Sequence, residues 1–340
     1  MKAKLFDVVS WFLKYSESVL GCGAQGFLGF IGFAKEATWG TAVAATYYAE
    51  AFSESLTLAK DRYELKNIFG VAAEPDDAVG LDRVAGEIVV PGYPVILGAM
   101  LKGVMETTSI TVIASGALWK TEFLTFNGTN FSTTCPVTPY TFEVFRDVTS
   151  SHQYRGCALS RLQLSVAPNQ PLRASASFIG RSSVVIAKTA ATFPGSPVLP
   201  FTFDTASVSV GGSGNARMEA FNLTIDNGFE GIPTLDCTST IAYIRRRTPQ
   251  TIRISGTYDF PDITEYNDFV NQTERAMNLT LTKANSFSLY IQIPRVVYNA
   301  FPMGMGGRER LTVSFEGIGR YHTGSAMALN IALTTTKSNF

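Results

Sequence analysis

The stretch Arg253–Val270 constrains the fold more than any other, because its hydrophobic period changes part-way along. Ile252, Ile254 and Tyr258 fall on one face of an alternating run, with Arg253, Ser255 and Thr257 on the other, which predicts a half-buried strand. Pro261 and Asp262 end it, since proline gives no N–H to a ladder. Asp262 with Glu265 three residues on forms a capping-box pattern. Ile263, Tyr266 and Val270 then recur at i, i+3 and i+7 with Phe269 beside them, which predicts a helix with one buried stripe.

The unit recurs upstream. Ala85–Pro94 reads as a strand ending in prolines, followed by Leu97, Met100, Leu101 and Val104 at helical spacing. Gly86 matches Gly256 and Pro91 matches Pro261, both at an offset of 170. Ser55–Leu58 (SLTL) matches Asn222–Ile225 (NLTI) at an offset of 167, and Ser177–Gly180 (SFIG) matches Ser314–Gly317 (SFEG) at 137. The shorter last offset gives the first copy about 33 extra residues between its helix and its closing strands, the difference between 170 and 137. One such match carries little. Three in the same order around a strand–helix unit predict an internal duplication.

The expected fold is therefore mainly β, with two tandem β-sandwich domains at 33–190 and 201–320, each with one flanking α-helix. Residues 1–32 read as an N-terminal arm. They open like a signal peptide, and Val19–Cys22 loosely resembles a lipoprotein cleavage box, but Asp7, Lys14 and Glu17 interrupt the apolar run a signal needs. Phe27–Phe33 is too short to span a bilayer. Lys60–Asp82 reads as an irregular polar excursion carrying the acidic turn Glu74-Pro75-Asp76-Asp77. The extra segment, about 106–140, is β-rich and turns at Asn127-Gly128. Tyr140–Phe145 and Tyr154–Gly180 are the clearest strands, the latter a hairpin turned at Pro168–Pro171. Residues 191–200 hold Pro194, Pro197 and Pro200 and read as a linker. Ser288–Ile293 and Leu311–Phe315, joined through Met303–Gly307, read as closing strands, and 321–340 as an exposed polar tail.

Chemistry is sparse in this chain. Its 28 basic and 28 acidic residues cancel, so no global field draws it to DNA or to an anionic membrane. Cys22, Cys135, Cys157 and Cys237 lack CxxC or metal spacing and fit buried thiols; His152 and His322 lack a ligand pattern. No catalytic centre, metal or cofactor is expected. Gly304–Gly307 echoes a phosphate loop without the strand before it and the helix after it. Asp76 with Asp77, and Asp259 with Asp262, are carboxylate pairs that turn and capping roles already explain. Arg245, Arg246 and Arg247 form the only basic cluster; a solvated strand face or an ion pair across a subunit contact explains it better than a phosphate contact.

Four stretches carry a resemblance: Gly32–Thr41 (GFAKEATWGT), Ser53–Leu58, Tyr154–Leu164 (YRGCALSRLQL) and Ala176–Arg181. Together they resemble the major tail tube proteins of long, non-contractile bacteriophage tails, over roughly Gly32 to Arg320. The arm and the 106–140 insertion depart from that pattern. The resemblance implies two tail-tube-like β-sandwich domains and a structural virion protein made in the host cytoplasm. It implies subunits that join strands into rings, and stacked rings that form the conduit for DNA. Three two-domain chains would supply six positions, making a homotrimer per ring the favoured form and a homohexamer the alternative. Implied partners are other copies, the tape measure protein, and the tail tip and tail terminator proteins; DNA passes the lumen without specific binding, and no membrane is involved. On this reading Glu74, Asp76 and Asp77 contact the next ring or the lumen. The competing expectation is a β-sandwich surface- or carbohydrate-binding module of a phage tail or adhesin. An outer-membrane barrel fits poorly, because the strands lack long outward apolar bands.

Overall fold

The computed structural model describes residues 24–66, 70, 72–73, 76–114, 118–125, 137–193, 199–214, 217–236, 238–259, 263–283, 287–304, 310–337 and 340. The first half holds β1 (Phe30–Lys35), β2 (Tyr47–Ala49), β3 (Ser53–Glu54), β4 (Thr57–Glu64), β5 (Asp77–Pro91), α1 (Pro94–Val104), β6 (Glu106–Ala114), β7 (Leu118–Leu124), β8 (Pro139–Phe145), β9 (Ser150–Val166), β10 (Arg173–Gly180) and β11 (Ser182–Ala187). The second holds β12 (Ala206–Val210), β13 (Ser213–Gly214), β14 (Met218–Asp226), β15 (Phe229–Ile232), β16 (Tyr243–Arg246), β17 (Thr251–Asp259), α2 (Thr264–Val270), β18 (Arg275–Thr282), β19 (Ser288–Ala300), β20 (Thr312–Gly319) and β21 (Asn330–Thr335).

One antiparallel pairing order appears in both halves. In the first, β4 pairs β5, β5 pairs β10 and β10 pairs β9; the start of β9 also pairs β8 and β11, and β8 pairs β1. In the second, β14, β17, β20 and β19 follow one another in the same way, with β18 and β21 on the start of β19 and β12 on β18. Irregularities recur too. The β9–β10 ladder skips Ser160, between Arg161 opposite Ser177 and Leu159 opposite Phe178. The β19–β20 ladder skips Asn299, between Ala300 opposite Glu316 and Tyr298 opposite Gly317. Both strands of the ladder therefore correspond at an offset of 139 (Ser160 to Asn299, Ser177 to Glu316).

The pairing carries that offset across the sheet. Ser177 faces Glu87 and Glu316 faces Ser255; two residues along, Ala85 faces Thr57 and Arg253 faces Thr224. Thr57 thus corresponds to Thr224, the same offset of 167 that SLTL and NLTI show in sequence. The other two sequence matches slip by two residues: Gly86 takes the place of Ile254, not Gly256, and Ser177 that of Glu316, not Ser314. A slip of two keeps each side chain on its face, so hydrophobic pattern alone could not expose it.

α1 begins with Pro94 at its first turn, where the missing N–H costs nothing, and buries Leu97, Leu101 and Val104 completely. Each such side chain stabilises the fold by about 1.5–3 kcal/mol relative to exposure. The Tyr140 hydroxyl donates to the Ala99 carbonyl at 2.7 Å, tying α1 to β8. α2 is shorter and departs from the expected stripe: Ile263 and Val270 are exposed, while Tyr266 and Phe269 pack on the core. Asp268 is buried and takes a two-pronged ion pair from Arg275 at the start of β18. Asp262 of the expected capping box lies outside the described residues, and Ile263 caps without a side-chain bond.

Three further expectations change. The "irregular" 60–82 stretch is largely strand, because β4 runs to Glu64 and β5 starts at Asp77 as a long hairpin. β1 starts at Phe30, inside the stretch read as arm. The tail is exposed at 321–326 and 336–337, but its strand is not: β21 inserts between β19 and β7, with Leu329, Ile331 and Leu333 fully buried. Phe340 then packs against α1 so closely that a Cβ on Gly98 would lie 2.3 Å from its ring. The insertion thus supplies, through β6 and β7, a hairpin that staples the chain's C-terminal strand. Its turn at Asn127-Gly128, the linker centre 194–198, and Cys22, Cys135 and Cys237 lie outside the described residues.

Candidate assembly and lining surfaces

The end of β9 carries a second partner that joins the two halves. Val166, Leu164 and Leu162 lie opposite Phe221, Leu223 and Ile225 of β14, all buried. Beyond them Arg161 lies opposite Asp226 and is ion-paired to it at 2.8 Å, and the Asn227 N–H donates to the Ser160 carbonyl at 2.8 Å. The ladder β4-β5-β10-β9-β14-β17-β20 is therefore unbroken across the chain. Alternating large apolar pairs on one face fix this register, because a one-residue slip would expose all of them.

The other face of that ladder is mostly polar, with Ala85 and Val89 of β5, Ile179 of β10, Ala220 of β14 and Ile318 of β20 among its apolar positions. Glu87 of β5 stands beside Ser175 and Ser177 of β10, then Gln163 and Ser165 of β9, Asn222 and Thr224 of β14, Ser255 and Thr257 of β17, and Ser314 and Glu316 of β20. Several of its charges are matched in place, while Arg173 and Arg253 on the same face have no ion pair among the described residues. Arg83 pairs with Asp61 at 3.0 Å and Arg161 with Asp226, Arg310 bridges Glu219 and Asp259, and Glu87 accepts from Ser175. Surface pairs of this kind add little stability, but they leave a hydroxyl-rich face with little net field.

The stretches that carry the family resemblance interlock. Glu36 is buried and accepts from the Gly40 N–H (2.7 Å), the Thr141 hydroxyl (2.7 Å) and the Gly156 N–H (2.8 Å). The Trp39 indole N–H donates to the Gly156 carbonyl at 3.0 Å, and the Arg181 guanidinium lies over the Trp39 ring. A β-turn-like motif, a strand interior and a strand end are thus held by one carboxylate and one glycine. Cys157, next to Gly156, is buried, and burial pushes its thiol well above the ordinary range.

The sequence-singled residues fall in two places. Glu74 lies outside the described residues. Asp76 is exposed, and Asp77 opens β5 opposite Glu64, 3.8 Å from Arg62. Exposed Tyr63 and Val79 flank that end of the β4–β5 hairpin. Arg245, Arg246 and Arg247 do not act as one cluster. Arg245 lies over the Tyr243 ring, Arg246 donates to the Asn227 side chain at 3.1 Å, and Arg247 reaches Glu230 at 3.4 Å. The β15–β16 hairpin that bears them folds back on the first half, burying Ile241 and Ile244 against Ala158. Among the described residues no three His, Cys, Asp or Glu side chains converge as a metal site would need, and no helix is long and apolar enough to cross a membrane. Sequence reading missed the β9–β14 joint and the Glu36 clamp. The first had a signal in the shared alternation of Leu162, Leu164, Leu223 and Ile225; the second had none.

A family model described as phage tail tube protein matches residues 26–319, most of the chain. No curated protein matches it. The chain belongs to the phage tail tube protein family, and as such is a structural component of a virion tail.

Proposed function

From that membership we propose that the chain polymerises as stacked rings into the hollow tube that conducts DNA from the capsid to the host. Two tandem domains, 33–190 and 201–320, occupy two of six ring positions, so three chains close a ring. The observation that carries this reading is the unbroken ladder through the β9–β14 joint, which already builds one third of such a wall inside one chain. Its polar face lines the lumen. A sliding polyanion needs a wetted surface without strong cationic traps, and paired charges among hydroxyls supply one. The opposite face is buried under α1, α2 and the outer strands.

The β4–β5 hairpin end with Glu74, Asp76 and Asp77 contacts the next ring or the lumen, and Arg245 and Arg247 lie at a subunit contact. Other partners are the tape measure, tail tip and terminator proteins. The chain performs no catalysis. Negative-stain electron microscopy with mass in solution tests the proposal. Rings or tubes with threefold character are expected, whereas rings of six chains would overturn the two-positions-per-chain reading. A protein that stays monomeric at high concentration, with or without a tail initiator, would overturn the tube.

A further inference from the structure

At the two ends of the joined ladder β4-β5-β10-β9-β14-β17-β20-β19 the pairing order leaves a strand edge open among the described residues, and these edges are counterparts of the two that meet in the internal joint. β14 is covered by β9, but its counterpart β4 has no strand on its outer side among the described residues. The end of β9 is covered by β14, but its counterpart, the end of β19 at Asn299 and Ala300, is paired only with β20 among the described residues. Each copy thus presents one edge of each kind. We infer that a second copy of this chain seats on these edges, with Thr57–Lys60 paired antiparallel to residues 299–302 of the neighbour, Leu58 opposite Phe301 and Ala59 opposite Ala300. The inference rests on the ring reading above and supplies its contact.

The register comes from the molecule itself. Offsets of 167 and 139 carry Ile225 onto Leu58, Asp226 onto Ala59, Leu162 onto Phe301 and Arg161 onto Ala300. The apolar pair Ile225–Leu162 is then replaced by the apolar pair Leu58–Phe301, on the core side of the ladder. Backbone phase agrees. The Ser55 N–H donates to the Glu87 carbonyl, so the groups of Leu58 and Lys60, of opposite parity, point to the open side. In the internal joint the Asn227–Ser160 bond makes Thr224–Gln163 a non-hydrogen-bonded pair. Its counterpart is Thr57–Pro302, so the missing N–H of Pro302 falls where the joint requires none. The Leu56 carbonyl is already taken by Arg146 (2.8 Å) and Tyr154 (2.7 Å), which sets Thr57 as the first residue of the contact. Both edges on one chain, unlike one another, give a head-to-tail contact that closes rather than an isologous dimer.

Ala59→Cys with Ala300→Cys tests this. A non-hydrogen-bonded antiparallel pair brings Cα atoms to about 4.5 Å, within the disulfide range of about 4.4–6.8 Å. On mild oxidation of assembled protein, non-reducing gels should show covalent dimers and trimers and nothing larger, with neither single variant giving them. A ladder beyond three chains would uphold the joint and overturn three chains per ring. The pair Lys60→Cys with Met303→Cys reports the register that the Gly86–Gly256 match would demand. Cross-linking there, or none at all while the wild type forms rings, overturns this register but not the tube. Absence of rings from the wild type overturns both. Leu58→Asp is the independent arm: Leu58 packs partly on the core, so the variant should lose some stability but still unfold cooperatively in urea, and it should form no rings; normal rings from it would refute the contact.

Discussion

Replacing Gly156 by Ala should be among the most damaging single-methyl changes in this chain. Gly156 sits at φ +63°, a region where a side chain costs about 1–2 kcal/mol. Its new Cβ would also stand 2.9 Å from the Trp39 indole nitrogen and 3.0 Å from the Arg181 Cβ. Neither neighbour can retreat freely, since Trp39 donates to the Gly156 carbonyl and Arg181 packs over Trp39. Overpacking of this kind adds about 1–3 kcal/mol. The total is about 2–5 kcal/mol, before a gain of roughly 0.4–1 kcal/mol from a less flexible unfolded chain. Gly212→Ala separates the contributions. It has φ +85° with no heavy atom within 4 Å of its would-be Cβ, so it carries the backbone cost and the same unfolded-state gain without the clash. Urea unfolding followed by tryptophan fluorescence, which Trp39 itself reports, should place Gly156→Ala about 1–3 kcal/mol below Gly212→Ala. If Gly212→Ala proves equally or more costly, the packed clamp is not what restricts Gly156.

Four further outcomes follow from particular contacts. Gln163→Arg with Thr224→Arg adds unpaired cations to the polar face; tubes should still form but retain duplex DNA in a salt-dependent way, and unchanged DNA release would argue against that face as the lining. Phe340→Ala removes the ring seated on Gly98 and should destabilise the fold by about 1–3 kcal/mol, read from the urea midpoint, since the side chain is only partly buried. The Tyr93 phenol donates to Glu50, and that bond with partial burial and the Glu50 charge pushes its pKa up to about 12. The neutral form is the one favoured on folding, so this contribution is complete below about pH 10 and lost as pH rises through about 12. Tyr93→Phe should therefore flatten alkaline unfolding in that window alone. Replacing Glu74, Asp76 and Asp77 together by Ala should impair ring stacking or DNA passage; tubes of normal length and DNA release would remove that role.

Much of this molecule is written locally. Alternation of Ile252, Ile254 and Tyr258 against Arg253, Ser255 and Thr257 fixes a strand and its buried face wherever the strand pairs. The helical spacing of Leu97, Met100, Leu101 and Val104, after prolines that cannot continue a ladder, fixes α1. Repetition of SLTL as NLTI reveals a second copy, and the motifs around Glu36, Tyr154 and Arg181 point to the family. These features survive because each depends on neighbours within one or two turns of chain. Partner and register do not. A period of two tells which way a side chain points but is blind to a slip of two residues, which is how Gly86 came to be matched with Gly256. Leu329, Ile331 and Leu333 alternate like any strand, yet their burial depends on β7, some two hundred residues away, offering an edge. Likewise Glu36, a charged residue in an apparent turn, is buried only because Gly40, Thr141 and Gly156 converge on it with three donors. Local pattern sets faces; only packing between distant strands, where side chains must fit and backbone groups must be satisfied, decides which faces and edges meet and which remain open for another copy.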